Sequence, residues 1–152
     1  QINQCRTQAQ ALTALAYESK DLLALTAYVA YQSKGMPITV RETAENKSAM
    51  QKGRKIFYER MGQLNLSCAQ CHEERSGLKL GGAVIPQGHP NAYPIYRLEW
   101  QTLGSLQRRL RNCMSGVRAQ QFDYGSAEMA QLELFLAARA RGLPLESPGV
   151  RP

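Results

Sequence analysis

No stretch of this 152-residue sequence approaches the roughly 18 apolar residues that a membrane-spanning helix needs, so no membrane span is expected. Nor does the chain start with a Met, a basic region and an apolar segment, so no secretory leader is visible. It opens on Gln1-Ile2-Asn3-Gln4-Cys5, and the expectation is a product processed or cut from a longer one. Acidic residues are scarce: 12 Asp and Glu stand against 19 Lys and Arg, a formal net charge of +7. Convincing strand alternation is also missing, and helical periodicity dominates. With 43% hydrophobic and 20% charged residues, the composition is ordinary for a globular protein and excludes wholesale disorder. The length allows one ordinary domain, or one small domain and part of another. Among the rarer residues, four cysteines carry the information.

Two of them stand in Cys68-Ala69-Gln70-Cys71-His72. The Cys-x-x-Cys-His string is the attachment site of c-type haem. Two thiols three positions apart reach the two haem vinyl groups, and the adjacent imidazole sits under the iron. One covalent haem c on Cys68 and Cys71 is therefore expected, with His72 as the proximal metal ligand. A structural zinc site would want about four N or S ligands in two such clusters, and there is no second cluster. A thioredoxin-type dithiol would want a βαβ context, which is also missing. Bacteria attach haem covalently outside the cytoplasmic membrane, so a periplasmic location is expected, where disulfides also persist. No nucleic-acid partner is expected.

The chain divides at about residue 45. Residues 9–33 carry Leu15, Leu22, Leu25, Tyr28 and Val29 at helical spacing and stop at Gly35-Met36-Pro37. Residues 47–62 form a second stripe, with Gly53 and Phe57 at the expected crossing of two helices, Asn46 as N-cap and Gly62 as stop. Gly and Pro crowd residues 76–96, which read as a loop over a haem edge. Ser105 caps a short helix that carries Leu106 and Leu110 towards Cys113. The last helix, 126–141, lines up Met129, Leu132, Phe135 and Leu136 and ends at Gly142-Leu143-Pro144. The tail from Glu146 to Pro152 reads as a flexible end or a strap against a partner.

Aligning the two Gly-x-Pro stops reveals a repeat. Leu25–Ala30 falls on Leu132–Ala137, Cys5 precedes its Gly by 30 residues, and Cys113 precedes its own by 29. Cysteines equivalent in two copies are not expected to bond each other, so the partner of Cys5 is expected upstream. The predicted fold class is all-α. A class I cytochrome c domain occupies residues 46–152, and residues 1–45 are the second half of a related cytochrome c-like domain.

For the sixth iron ligand, His89, Cys113, Met114 and Met129 all follow the motif. Met129 lies on an apolar stripe and His89 in a Gly-Pro loop, while Cys113 and Met114 adjoin each other at a helix end; spacing leaves these two open. From Trp100 to Phe122 there are four arginines (Arg108, Arg109, Arg111 and Arg118) and no acid. Arg109, four residues before Cys113, shares a helix face with it. A cation there stabilises a thiolate and binds an oxyanion. The bland alternative is a solvated basic face meeting an acidic partner or the haem propionates.

The haem motif, Pro94-Ile95-Tyr96-Arg97, the run from Arg109 through Arg111-Asn112-Cys113-Met114 to Arg118, and Asp123-Tyr124-Gly125-Ser126 together resemble the SoxA family. These are the catalytic subunits of the SoxAX sulfur-oxidation cytochromes. The resemblance covers essentially the whole chain. It implies two cytochrome c domains, a haem held by His72 and the Cys113 thiolate, and a Cys113 often found as a persulfide. It also implies a haem-dependent L-cysteine S-thiosulfotransferase that oxidatively couples thiosulfate to a cysteine of a SoxYZ-like sulfur carrier. Cys113 and Arg109 would be its catalytic residues, and a SoxX-like small cytochrome c would be its partner. The first half of the N-terminal domain, with any first haem motif, is missing from this pattern. Cys5 is then either half of a disulfide, the favoured reading, or the ligand of a first haem. The alternative function is a non-catalytic periplasmic electron-transfer cytochrome with Met114 as its ligand.

Overall fold

A computed structural model of the chain describes residues 1–151. In chain order the elements are α1 (Ile2–Ala9), α2 (Lys20–Tyr31), α3 (Lys47–Tyr58), α4 (Cys68–His72), β1 (Lys79–Leu80), β2 (Ala83–Val84), β3 (Ile95–Arg97), β4 (Thr102–Gly104), α5 (Leu106–Gly116), α6 (Ala127–Arg139) and β5 (Gly149–Arg151). The all-α expectation is therefore corrected: beside the helices stand a two-stranded sheet, β1-β2, and a three-stranded sheet ordered β4-β3-β5. Strands of two or three residues are too short to display the period-two alternation by which a strand is recognised. The hairpin β1-β2 occupies part of what reads as loop. The tail also differs from its expected role, because β5 pairs in parallel with β3 through Ile95↔Gly149 and Arg97↔Arg151. Pro152 lies outside the described residues.

The predicted helix over 9–33 forms only in its second half, as α2, and the non-helical residues 10–19 separate it from α1. Ala11 (φ 52°) and Glu18 (φ 61°) are left-handed, and Ser19 caps α2 by accepting from the Leu22 N–H. Asn46 stands at the start of α3, but its side chain accepts from Thr43 N–H instead of capping the helix. Ser105 and Ser126 cap α5 and α6 by accepting from Arg108 N–H and Met129 N–H.

The core lies where α3 crosses α6. Phe57, Ala69, Leu132 and Leu136 form its buried centre, with Ile56, Cys68, Leu106, Leu110 and Phe135 packed around them. The rings of Phe57 and Phe135 meet at 5.4 Å. Gly53 makes the crossing possible, because a Cβ there would lie 2.0 Å from the Gln131 carbonyl oxygen.

The two Gly-x-Pro stops meet each other. Gly35 N–H donates to Leu145 O (2.8 Å) and Gly142 N–H to Ile38 O (2.9 Å). Ile38 N–H donates to Leu143 O (2.9 Å) and Leu145 N–H to Met36 O (2.9 Å). Adding 107 to one partner of each bond and subtracting 107 from the other turns the first bond into the second and the third into the fourth. The repeat is thus expressed as a local pseudo-twofold axis. The faces of the equivalent helices differ. Leu132 and Leu136 of α6 are 1% and 4% exposed, whereas their counterparts in α2, Leu25 and Val29, are 39% and 57% exposed.

Candidate functional site

Helix α4 is short, and its N-terminus is capped. Ser67 Oγ accepts from Gln70 N–H (3.3 Å), and Gln70 Oε1 accepts from Ser67 N–H (3.0 Å), a reciprocal capping box. Ala69 is buried in the core. Cys68 and Cys71, on either side of it, are half-buried free thiols. Burial pushes the Cys68 thiol up to about 11, with Cys113 and Cys71 adding to the rise and Arg139 opposing it.

His72 is oriented by the loop that follows. Its Nδ1 lies 2.7 Å from Pro86 O. A carbonyl only accepts, so Nδ1 carries the proton and Nε2 keeps its lone pair for a metal. Gly88 (φ +73°) lies flat on the ring, where a Cβ would come within 3.1 Å of His72 Cγ. Burial lowers the His72 pKa, the bond to Pro86 raises it, and Arg139 and Arg109 lower it further. Arg139 Nη2 lies 3.1 Å from Glu73 Oε1, Nη1 donates to Gln87 O (3.0 Å), and the guanidinium covers Phe57 at 4.4 Å.

Helix α5 carries two stripes. Leu106, Leu110 and Met114 face the core, and Met114 is 4% exposed. Arg109 and Cys113 lie one position back and share another face. Burial raises the Cys113 pKa, Arg109 lowers it, Cys71 raises it and Arg97 lowers it. Cys113 therefore lies in the fields of both a haem-motif thiol and Arg109, and Arg109 acts on His72 as well. The structure brings Cys68, Cys71, His72, Cys113 and Arg109 to one place.

The other candidates are placed differently. Met129 is fully buried in the core, His89 is half-buried in its loop, and Cys5 is exposed on α1 with a free thiol. The four-arginine cluster also divides. Arg108 stacks on Trp100 at 4.4 Å, Arg111 stacks on Tyr124 at 4.6 Å and bonds Phe122 O, and Arg118 is exposed in a left-handed turn. The second arginine at the site is Arg97, from β3. Sequence reading touched it only as part of a resembling segment. Its separation from Cys113 along the chain hid their proximity, and the absence of a shared helix left no periodic signal.

These groups fit a c-type haem. The two motif thiols flank a helix anchored in the core, the imidazole has its metal-binding nitrogen free, and a thiol soft enough to ligate iron shares the site.

The family described as SoxA/TsdA, cytochrome c domain, matches residues 1–38 and 52–145. The L-cysteine S-thiosulfotransferase subunit SoxA of Rhodovulum sulfidophilum is 39% identical over 150 residues, which is 99% of this chain and 52% of that protein. The subunit of the same name from Allochromatium vinosum is 37% identical over 155 residues, 99% of this chain and 55% of that protein. A chain in the crystal structure of SoxXA from P. pantotrophus superposes with a TM-score of 0.96 at 32% identity, covering 99% of this chain and 57% of that one. The chain spans about half the length of the curated relatives it matches. No helix among the described residues is long and apolar enough to cross a membrane.

Proposed function

This chain belongs to the SoxA/TsdA cytochrome c domain family, and on that premise we propose that it is the haem-bearing catalytic part of an L-cysteine S-thiosulfotransferase. Cys68 and Cys71 would hold one covalent haem c as thioethers, with His72 Nε2 and Cys113 Sγ as the groups that would ligate its iron. The bound haem supplies an acceptor for one electron at a time; the second electron requires another centre, which a SoxX-like small subunit provides.

The chemistry falls to Cys113 and Arg109. The Cys113 thiolate bonds to the outer sulfur of thiosulfate, giving Cys113-S-S-SO₃⁻ and releasing two electrons. Arg109 holds the sulfonate oxygens and offsets the negative charge of a dianion approaching a thiolate. A cysteine thiolate of a SoxYZ-like carrier then attacks the outer sulfur, takes the S-SO₃⁻ unit and returns the Cys113 thiolate. In sum, a carrier thiolate and thiosulfate become a carrier Cys-S-S-SO₃⁻ and two electrons. Thiosulfate and the carrier are inferred from the names of the relatives and from the basic, thiol-bearing site.

One observation carries this reading. Cys113 and Arg109 share a face of α5 beside the haem motif, whereas Met114 follows Leu106 and Leu110 into the core. A nucleophilic thiol and a cation on one helix face favour this reading over an electron carrier with Met114 as ligand. The test is Cys113→Ala and Cys113→Met in the assembled complex, assayed for thiosulfate turnover with the carrier protein. Turnover should be abolished in both; unchanged turnover overturns the proposal.

We also propose that residues 1–45 complete an N-terminal cytochrome c-like domain and that the protein is periplasmic. The pseudo-twofold pairing of the two Gly-x-Pro stops and the exposed apolar face of α2, equivalent to the buried face of α6, support the first statement. The Cys-x-x-Cys-His motif supports the second.

A further inference from the structure

The carbonyl that orients His72 stands in a loop with few anchors of its own. Pro86 has no N–H to offer, and Gly88 sits at φ +73°. Among the described residues, the segment 86–89 makes two hydrogen bonds. His72 Nδ1–H donates to Pro86 O (2.7 Å), and Arg139 Nη1 donates to Gln87 O (3.0 Å). The next anchors lie outside the segment, where Ile85 N–H donates to Leu78 O and Asn91 Nδ2 to Pro144 O. Besides the imidazole itself, Arg139 is therefore the group that fixes this stretch of backbone.

Arg139 is held firmly in its turn. It ends α6, and its side chain is 16% exposed. The guanidinium lies over the Phe57 ring at 4.4 Å, so the core sets where it stands. Nη2 meets Glu73 Oε1 at 3.1 Å, and Glu73 also accepts from Tyr58 Oη (2.9 Å). Glu73 follows His72 in the chain, and Gln87 follows Pro86. One guanidinium thus closes a ring that runs from His72 through Glu73, Arg139, Gln87 and Pro86 back to His72. The equivalent position in α2 is Gln32, which donates back to Tyr28 O. The arginine therefore belongs to the copy that carries the haem motif and not to the repeat as such.

We propose that Arg139 is a positioning residue for His72: by holding Gln87 O and Glu73 at once, it keeps the Pro86 carbonyl on Nδ1–H and fixes the rotation at which the imidazole presents Nε2. The inference rests on the haem-bearing reading above and deepens it. A hydrogen bond to the far nitrogen sets the tautomer and the orientation of a metal-ligating imidazole. Here that bond is only as well aimed as the loop that supplies the carbonyl. A planar guanidinium can serve two acceptors in different directions, which a single ammonium on a flexible stem does less well.

The test uses the haem-loaded complex and reads the electron paramagnetic resonance of the ferric state, whose low-spin g-values depend on imidazole rotation, together with the haem potential. The variants are Arg139→Gln, Arg139→Lys, Glu73→Gln and the double variant Arg139→Gln/Glu73→Gln. Arg139→Gln should add a second low-spin population and lower the potential, because the Glu73 charge beside His72 loses its partner. Glu73→Gln should raise the potential and keep the wild-type g-values, since the bond from Arg139 to Gln87 O remains. In the double variant the charges balance again, so the potential should return towards wild type while the second population persists. Arg139→Lys should keep the potential and show part of the g-value change. Wild-type g-values in Arg139→Gln and in the double variant overturn the proposal, even with a shifted potential, which would make Arg139 a mere counter-charge to Glu73. If Arg139→Gln does not assemble, wild-type g-values in Arg139→Lys overturn it instead. A wild-type protein that yields no pyridine haemochrome of thioether-bound haem overturns the haem reading itself; haem present with unmoved g-values overturns only the role of Arg139.

Discussion

Gly53 and Gln131 touch backbone to backbone: the Cβ that Gly53 lacks would lie 2.0 Å from the Gln131 carbonyl oxygen. Helices α3 and α6 can approach this closely only because one of them offers no side chain at the crossing. The contact brings Phe57 against Phe135 and closes the core beneath α4, so it positions the haem motif although it lies outside the site. Gly53→Ala is expected to push the helices apart and destabilise the domain by about 1–3 kcal/mol, the usual range for overpacking a filled core. Urea denaturation checks this, and an unchanged midpoint would mean that the crossing yields freely.

Gly88 guards the orientation of His72. Its φ of +73° already disfavours a side chain, and a Cβ would press on the imidazole at 3.1 Å. Gly88→Ala should cost about 1–2 kcal/mol in backbone strain alone. It should also disturb the bond from Nδ1 to Pro86. The expected readout is a holoprotein with a smaller low-spin fraction in its visible spectrum.

Glu133 makes stability depend on pH. Burial raises its carboxyl pKa, and the hydrogen bond from Gln107 Nε2 (3.1 Å) opposes the rise only in part. Between the ordinary carboxylate range and the raised folded-state value, the folded chain binds more protons than the unfolded one. Stability contributed by this residue is therefore lost as pH rises through that window. Glu133→Gln keeps a hydrogen bond to Gln107 and should flatten the profile there, raising the melting temperature above the window and leaving it little changed below. A steeper profile in the variant would contradict the assignment.

Arg139 links three elements at once: Glu73 at the end of α4, Gln87 in the loop and Phe57 in α3. Glu73 also accepts from Tyr58 Oη at 2.9 Å, which extends the network to the end of α3. Arg139→Leu should destabilise the protein by about 1–3 kcal/mol, since a hydrogen-bonded and stacked cation is lost from a half-buried place. Thermal unfolding monitored by circular dichroism reads the loss. Faster proteolysis within residues 73–88 would localise it.

Local signals made part of this legible. The Cys68-x-x-Cys71-His72 spacing, the Ser105 cap, the Leu106–Leu110 stripe and the two Gly-x-Pro stops each operate within one or two helical turns, so neighbouring letters disclose them. The strands did not disclose themselves. Ile95–Arg97 and Gly149–Arg151 are three residues each, and their pairing joins segments some fifty residues apart. The break between α1 and α2 was hidden as well, because the apolar spacing of Leu15 and Leu22 runs across it while the left-handed Ala11 and Glu18 carry no strong sequence mark.

By itself the sequence determined the haem-binding chemistry, the repeat and the face shared by Arg109 and Cys113, because a covalent motif and a helical period are local. Tertiary structure decided which charges meet the thiol. Of four arginines close to Cys113 in sequence, three turn to aromatic rings, a carbonyl or solvent, and Arg109 is left to act on the thiol together with the charge of Arg97 from β3. Coulomb fields act through space, and adjacency along the chain does not rank them. Folding alone sets which guanidinium faces the sulfur.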